Sequence, residues 1–267
     1  MTDLGPDDEE TPPNLARVFD HYLGGDDNTV VDREFAAEVD QVLPAMGDLC
    51  RGHRRFSAAV VDHWCAEGID QFLELGAGLP TVDHVHVRAR RVHTGARVAY
   101  VDYDPVAVVH ARRVVARHEG VSVLLADAGD AETVLAAPEV RDLLDLTRPV
   151  GLLAVAVLHY VPDAVAAEAM RRYREALAPG SGIAISHLTG VGRPDVHTWS
   201  TINHGGWSHA PTLRDPEDMD PWLEGLELVG PGWASAPHWS PEGAVPRAEE
   251  TASGLWGVVA RRPGRRG

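Results

Sequence analysis

The sequence predicts an α/β protein: a doubly wound, mostly parallel sheet preceded by a helical extension. Three observations carry this. Five runs rich in Val, Leu or Ile, at residues 71–75, 97–101, 121–125, 149–158 and 182–186, are continuously apolar rather than alternating, as strands covered on both faces are. Helical patterns separate the runs, so strand and helix alternate along the chain. Helix starts between them are marked by Asp104-Pro105 and Asp215-Pro216, a capping acid before a proline at the first helical position.

Residues 1–13 hold five acids and three prolines among few apolar groups and are read as a disordered acidic tail. Residues 14–67 form a helical cap. Leu15, Val18, Phe19, Tyr22 and Leu23 lie on one helical face, and Gly24-Gly25 ends that helix. A second helix starts at a cap on Asn28 or Thr29 and stops before Pro44; a third covers about 45–66, with Phe56, Val60 and Trp64 on its buried side. Residues 68–267 form the α/β core. Beyond its fifth strand come a polar stretch rich in Trp and His (187–215), a short helix, and two late strands at 226–229 and 255–260.

Composition removes whole classes of chemistry. All 24 basic residues are arginine, against 40 acids, for a net charge of −16. Without lysine there is no P-loop amine, no Schiff base and no Tyr-x-x-x-Lys dehydrogenase pair. The arginines fall in short groups (51, 54, 55; 88, 90, 91; 171, 172, 174) inside helical patterns and read as solvated helix faces, not as a phosphate-binding surface, so no nucleic acid is expected. No apolar stretch approaches the roughly twenty residues of a membrane span, and the acidic start lacks the features of a secretory leader. Cys50 and Cys65, too few for a disulfide framework, predict a reducing cytoplasm.

The sharpest motif is Phe72-Leu73-Glu74-Leu75-Gly76-Ala77-Gly78, a strand running into a Gly-x-Gly turn. Such a turn lets a ligand approach the backbone, although alone it serves equally as a tight strand-to-helix turn. The next strand ends at Asp102, where a carboxylate can accept from two ribose hydroxyls; the third ends at Asp127-Ala128, where an acid can accept from an adenine amino group. A glycine turn, an acid and an acid on three successive strands point to a nucleoside-bearing ligand. The third glycine of a dinucleotide fingerprint is absent, which disfavours a nicotinamide-dependent oxidoreductase.

Glu74-Leu-Gly-Ala-Gly78, Tyr100-Val-Asp-Tyr-Asp-Pro105, Leu125-Ala-Asp127 and Val157-Leu-His-Tyr-Val-Pro-Asp163 resemble motifs one to four of class I S-adenosylmethionine-dependent methyltransferases. The stretch Ala16-Arg-Val-Phe-Asp-His-Tyr-Leu-Gly-Gly-Asp-Asp-Asn28, with Asp32-Arg33, resembles the N-terminal signature of one such family, formerly a domain of unknown function. The resemblance implies a Rossmann-like seven-stranded sheet, mostly parallel, with an antiparallel last strand at 255–260. It implies S-adenosylmethionine as cofactor and S-adenosylhomocysteine as product. It also implies a cofactor site of Tyr22, Gly25, Asn28, Arg33, Glu74, Gly76, Ala77, Gly78, Asp102, Tyr103, Asp127, Ala128 and Leu158. Tyr103 stands where relatives often carry asparagine and can stack beside the adenine. No acceptor is implied, and a homodimer is left open.

Methyl transfer from a sulfonium is an in-line displacement, helped mainly by orientation and exclusion of water. His159 and Tyr160, just past the fourth strand, are the candidate catalytic pair, because an ordinary histidine pKa suits proton removal near neutrality. His187 is a weaker candidate. The polar turn 24–28 is expected to receive the cofactor's amino-acid end, with Tyr22 near the sulfonium by cation–π attraction and the segment acting as a lid. No metal site is expected: His84 and His86 point apart on a helix, and His197, His204 and His209 read as loop residues. Trp199, Trp207, Trp222, Trp233 and Trp239 are expected either to line an aromatic acceptor pocket, the reading the interleaved polar residues favour, or to close the open edge of the core. The expected activity is a small-molecule methyltransferase; the alternative is a non-catalytic module that binds the same cofactor.

Overall fold

The computed structural model describes residues 12–80, 82–201, 210–243 and 253–264. Helix α1 (Leu15–Leu23) starts where the Asn14 side chain accepts from the amides of Ala16 and Arg17, and ends at Gly24 in the left-handed region. Helix α2 (Val30–Val42) opens on a capping box between Thr29 and Asp32. The buried Asp32 also accepts from Arg17 Nε at 2.6 Å, which pins α1 to α2. Helix α3 (Met46–Ala66) then crosses the sheet.

The core follows as β1 (Gln71–Leu75), α4 (Val85–Ala89), β2 (Arg97–Asp102), α5 (Pro105–Val115), β3 (Val121–Leu125), α6 (Ala131–Ala136), α7 (Pro138–Arg141), β4 (Gly151–Val155), α8 (Asp163–Ala176) and β5 (Gly182–Leu188). Then come α9 (Pro194–Thr201), α10 (Pro216–Met219), β6 (Glu227–Ser235) and β7 (Leu255–Arg261). The sheet order is β3-β2-β1-β4-β5-β7-β6. β1 to β5 pair in parallel, and β7 lies antiparallel between β5 and β6. β1 and β5 are buried along their whole length, which is why their sequences show no alternation.

Two glycines bring α3 close to the sheet. A Cβ on Gly151 of β4 would stand 2.6 Å from the Trp64 ring, and one on Gly182 of β5 would collide with the same ring. The fully buried indole thus occupies a slot cut by two missing side chains. β4 is shorter than its apolar run: Ala156, at φ 57, turns the chain out of the sheet after Val155. A left-handed alanine costs on the order of 1 kcal/mol, and it sits at the functional edge. The expected tail (residues 1–11 of it) and His204, Trp207 and His209 lie outside the described residues.

Candidate active site

The order β2-β1-β4 reverses the sense of winding between β1 and β4, the switch point where open α/β sheets bind ligands. A cavity of about 660 Å³ opens at the carboxyl ends of these strands, within the range of small-molecule sites. The glycine turn forms its floor. Gly76 and Gly78 have φ of 68° and 59°, and a Cβ on Gly76 would stand 2.5 Å from Val157 Cγ2. The amides of Gly76 and Ala77 donate to the Val101 carbonyl. The Gly78 amide donates to Asp102 Oδ2 at 2.7 Å, while Asp104 N donates to Oδ1 at 3.0 Å. Asp102 therefore holds the turn in place while it lines the cavity. Burial moves its pKa upward.

Glu74 stands on β1 opposite Tyr100 of β2. It lines the cavity, is 4% exposed, and its Oε2 has no hydrogen-bond partner. Burial raises its pKa to about 7; Asp102 adds to the rise and Arg54 opposes it. Arg54, from α3, also lines the cavity, with an unpartnered buried Nε. The arginine grouping reads as a solvated face, but Arg54 is half-buried and lies between the buried Cys50 and Ser57 on one side of α3, spaced i, i+4, i+7. A buried carboxylate and a guanidinium, each with polar capacity to spare, complement the ammonium and carboxylate of an amino-acid zwitterion. Tyr103, Asp127 and Ala128 line the same cavity from the ends of β2 and β3. Asp127 Oδ1 accepts from Gly129 N at 2.7 Å.

Past β4 and β5 the wall changes character. His159 is 2% exposed, lies 5.3 Å from His187 and 6.0 Å from His53 between ring centroids, and its Nδ1 has no partner. Burial, then the neighbouring His187 and His53, hold its pKa well below the usual histidine value. The expectation of a base titrating near neutrality is thus corrected: at pH 7 His159 is a neutral imidazole. Burial likewise drives His53 and His187 each down to about 3. His53 Nδ1 is 2.6 Å from Ser186 Oγ, and His187 Nδ1 meets the Leu188 carbonyl. Tyr160 lines the cavity, and burial pushes its phenol upward, so it is a donor rather than a base.

Arg214, which sequence patterning did not single out, orders this wall. Only 4% exposed, it donates to the carbonyls of Leu158 and Val161 at 2.9 and 2.8 Å, bracketing His159 and Tyr160. It also meets His187 Nε2 at 3.0 Å and Asp163 through Nε at 2.9 Å. No periodicity marks it, because it sits in an irregular segment before α10. Leu158 itself faces away from the cavity, fully buried in the core on the other side of the sheet.

α1 supplies cavity wall through Asn14, Ala16, Val18, Phe19 and Tyr22. The Tyr22 hydroxyl donates to the Ala36 carbonyl at 2.9 Å and meets Asp40 at 3.1 Å, so only the ring remains for a ligand. The turn 24–28 folds instead onto Asp20: Asp27 N and Asn28 Nδ2 each donate to Asp20 Oδ2 at 2.9 Å. Gly25 is required there because a Cβ would collide with the Asp20 carboxylate. Arg33 Nη1 donates to Asn28 Oδ1 at 2.9 Å. Gly25, Asn28 and Arg33 consequently brace α1 and do not line the cavity. Of the described tryptophans, Trp199 alone among those expected at the pocket lines it. Trp222 packs on Arg214 and His187, Trp233 donates to Asp220, and Trp239 packs edge-on against Phe56. His86 faces Tyr100, its Nδ1 2.7 Å from the hydroxyl.

Comparison with known proteins agrees with this geometry. A Thermobifida fusca YX protein described as a candidate methyltransferase is 32% identical over 96% of this chain and 97% of its own, with a TM-score of 0.87. A DUF574-family protein from Streptomyces avermitilis MA-4680 is 33% identical over 94% and 98%, with a TM-score of 0.85. No functionally curated protein matches. Residues 6–263 match the S-adenosyl methyltransferase family. With a seven-stranded sheet, a glycine turn at its switch point, and an orphaned carboxylate beside it, the chain belongs to the S-adenosyl methyltransferase family, and its cofactor is S-adenosylmethionine.

Proposed function

We propose that the protein transfers a methyl group to a small-molecule acceptor in the cytoplasm. The observation that carries this is a single cavity whose wall runs from Glu74, Asp102 and Asp127 at one end to His159, Leu188 and Trp199 at the other. Cofactor and acceptor then share one water-poor space, as in-line transfer requires. Bound S-adenosylmethionine supplies an electrophilic methyl on a sulfonium. Glu74 receives the ammonium of its amino-acid end, Arg54 the carboxylate, Asp102 the ribose hydroxyls and Asp127 the adenine amino group. Gly76 to Gly78 permit close approach of the backbone, and Tyr103 stacks at the open edge. The Tyr22 ring and α1 close the cavity as a lid, while His159 and Tyr160 face the acceptor.

A nucleic-acid acceptor fits poorly with a net charge of −16, and among the described residues no helix is long and apolar enough to cross a membrane. Calorimetric titration with S-adenosylhomocysteine and with NADH tests the reading: tight binding of the first and none of the second is expected. Tight NADH binding would refute it. A His159→Ala protein is expected to keep its S-adenosylhomocysteine affinity and to lose turnover; full turnover on the true acceptor would remove His159 from the mechanism.

A further inference from the structure

The two ends of the cavity differ in charge, and the difference specifies the acceptor. We infer that the acceptor is an uncharged, largely apolar molecule carrying a weakly acidic hydroxyl, methylated on that oxygen. This rests on the methyltransferase reading above.

The acids that line the described cavity, Glu74, Asp102, Asp104 and Asp127, stand at the ends of β1 to β3, apart from Asp20. Asp20 accepts from Asp27 N and Asn28 Nδ2. At the ends of β4 and β5 the wall holds His159, Leu188 and, from α3, His53, whose Nδ1 meets Ser186 of β5; Phe19, Met46, Leu49 and Trp199 are further apolar lining residues. An ammonium entering there would leave water without meeting a carboxylate, and burying an uncompensated charge is costly. A carboxylate fares no better. The histidines are held neutral chiefly by burial, with neighbouring imidazoles adding for His53 and His159 and nearby guanidinium groups for all three. Arg214 is spent on the Leu158 and Val161 carbonyls and on Asp163. Arg54, whose charge reaches His53 as well as Glu74 and Tyr100, is occupied by the cofactor's amino-acid carboxylate in the reading above. Residues 202–209, which follow α9, contain no acid and no arginine.

A neutral molecule does find partners. Trp199, Phe19 and Met46 offer apolar and aromatic faces, and His159 offers a buried nitrogen whose hydrogen-bonding capacity is unmet. A hydroxyl can donate to that imidazole, fixing the oxygen beside the methyl. As the O–CH₃ bond forms, the S–CH₃ bond breaks and its electron pair stays on sulfur. The hydroxyl proton, strongly acidic once the O–CH₃ bond has begun to form, is accepted by the neutral His159 imidazole and lost to solvent as the products leave the cavity.

The test uses three probes on one scaffold: 2-naphthol, 2-naphthoic acid and 2-naphthylmethylamine. Calorimetry first establishes S-adenosylhomocysteine binding, and the loaded protein is then titrated with each probe. The naphthol is expected to bind at least about tenfold more tightly than either ion, since 1.4 kcal/mol already separates them by that factor. With S-adenosylmethionine it is expected to give 2-methoxynaphthalene by mass spectrometry. In His159→Gln, naphthol affinity is expected to fall about tenfold with S-adenosylhomocysteine affinity unchanged, as for one lost hydrogen bond. Absence of S-adenosylhomocysteine binding overturns the parent reading, and this one with it. Normal S-adenosylhomocysteine binding with a preference for the acid or the amine, with no preference, or with no probe bound overturns the acceptor class alone.

Discussion

Glu74 makes a prediction that stability and binding must answer in opposite directions. Its carboxyl titrates at about 7 in the folded chain against an ordinary value of 4.5, because burial opposes the charge. The folded state therefore binds its proton more tightly than the unfolded chain does. That costs nothing below about pH 4, grows as pH rises from 4.5, and is complete above 7. The difference, about 2.5 pH units at 1.36 kcal/mol each, is about 3 kcal/mol of stability lost by pH 8. Glu74→Gln removes the titration, so the ligand-free variant is expected to match the parent at pH 4.5 and to exceed it by about 3 kcal/mol at pH 8 in urea unfolding. Binding moves the other way: if the ionised carboxylate holds the cofactor's ammonium, S-adenosylhomocysteine affinity in the parent falls about tenfold per pH unit below 7. The variant has a flat profile and lower affinity throughout. Calorimetry in buffers of different ionisation enthalpy should register proton release on binding at pH 6.5 for the parent alone. A parent profile flat from pH 5.5 to 7.5, or a variant less stable than the parent at pH 8, would refute the argument.

Three further substitutions test other joints. Arg54→Met keeps the bulk on α3 and removes the guanidinium; S-adenosylhomocysteine affinity is expected to fall about tenfold to a hundredfold by calorimetry, whereas adenosine affinity should not change. Gly151→Ala drives a methyl into the Trp64 ring, 2.6 Å away, and is expected to cost about 2 kcal/mol, lowering the midpoint by roughly 4–8 °C in a thermal scan. Arg214→Lys retains the charge but loses the fork that spans the Leu158 and Val161 carbonyls. Turnover is expected to drop at least about tenfold with S-adenosylhomocysteine affinity intact, and equal loss of both would show a general folding defect instead.

Why some of this was legible in the sequence follows from which physical signal each feature leaves. The bounds of β1 are legible because a strand buried on both faces forms an apolar run with polar neighbours, and those of β3, a half-exposed edge strand, because Gly120 precedes its Val-Leu run and Asp127 follows it. β4 ends before its apolar run does, because Ala156, Val157 and Leu158 continue the run while the left-handed turn at Ala156 leaves no trace in hydrophobicity. Glu74, Asp102 and Asp127 could be placed together because a parallel sheet brings the ends of successive strands to one edge. Arg54 and Arg214 could not, for opposite reasons. Arg54 sits in a cluster of arginines that reads as a wet helix face, and only its i, i+4, i+7 spacing from Cys50 and to Ser57 betrays it. Arg214 lies in irregular chain, where no period relates a residue to a face. The glycine and asparagine of the N-terminal signature serve Asp20 and the bracing of α1; a motif concentrated on a turn identifies an essential turn, not its contact with a ligand.

The division of charge within the cavity also bears on rate. A sulfonium attacked by a neutral oxygen disperses its charge in the transition state, and attack by an oxygen that has begun to shed its proton cancels charge outright. Both are favoured by surroundings that do not stabilise the separated ions. Charged side chains beside the acceptor would work against this by stabilising the ground state. They are useful at the far end, where Glu74 and Arg54 can hold the unreactive amino-acid part and anchor the reacting part without touching it. A lysine near the acceptor would bring both a competing nucleophile and a fixed cation, and this chain contains none. Introducing one tests the point: Leu49→Lys is expected to leave S-adenosylhomocysteine affinity within about twofold and to abolish binding of 2-naphthol, and retained naphthol binding would mean that the acceptor lies elsewhere along the wall.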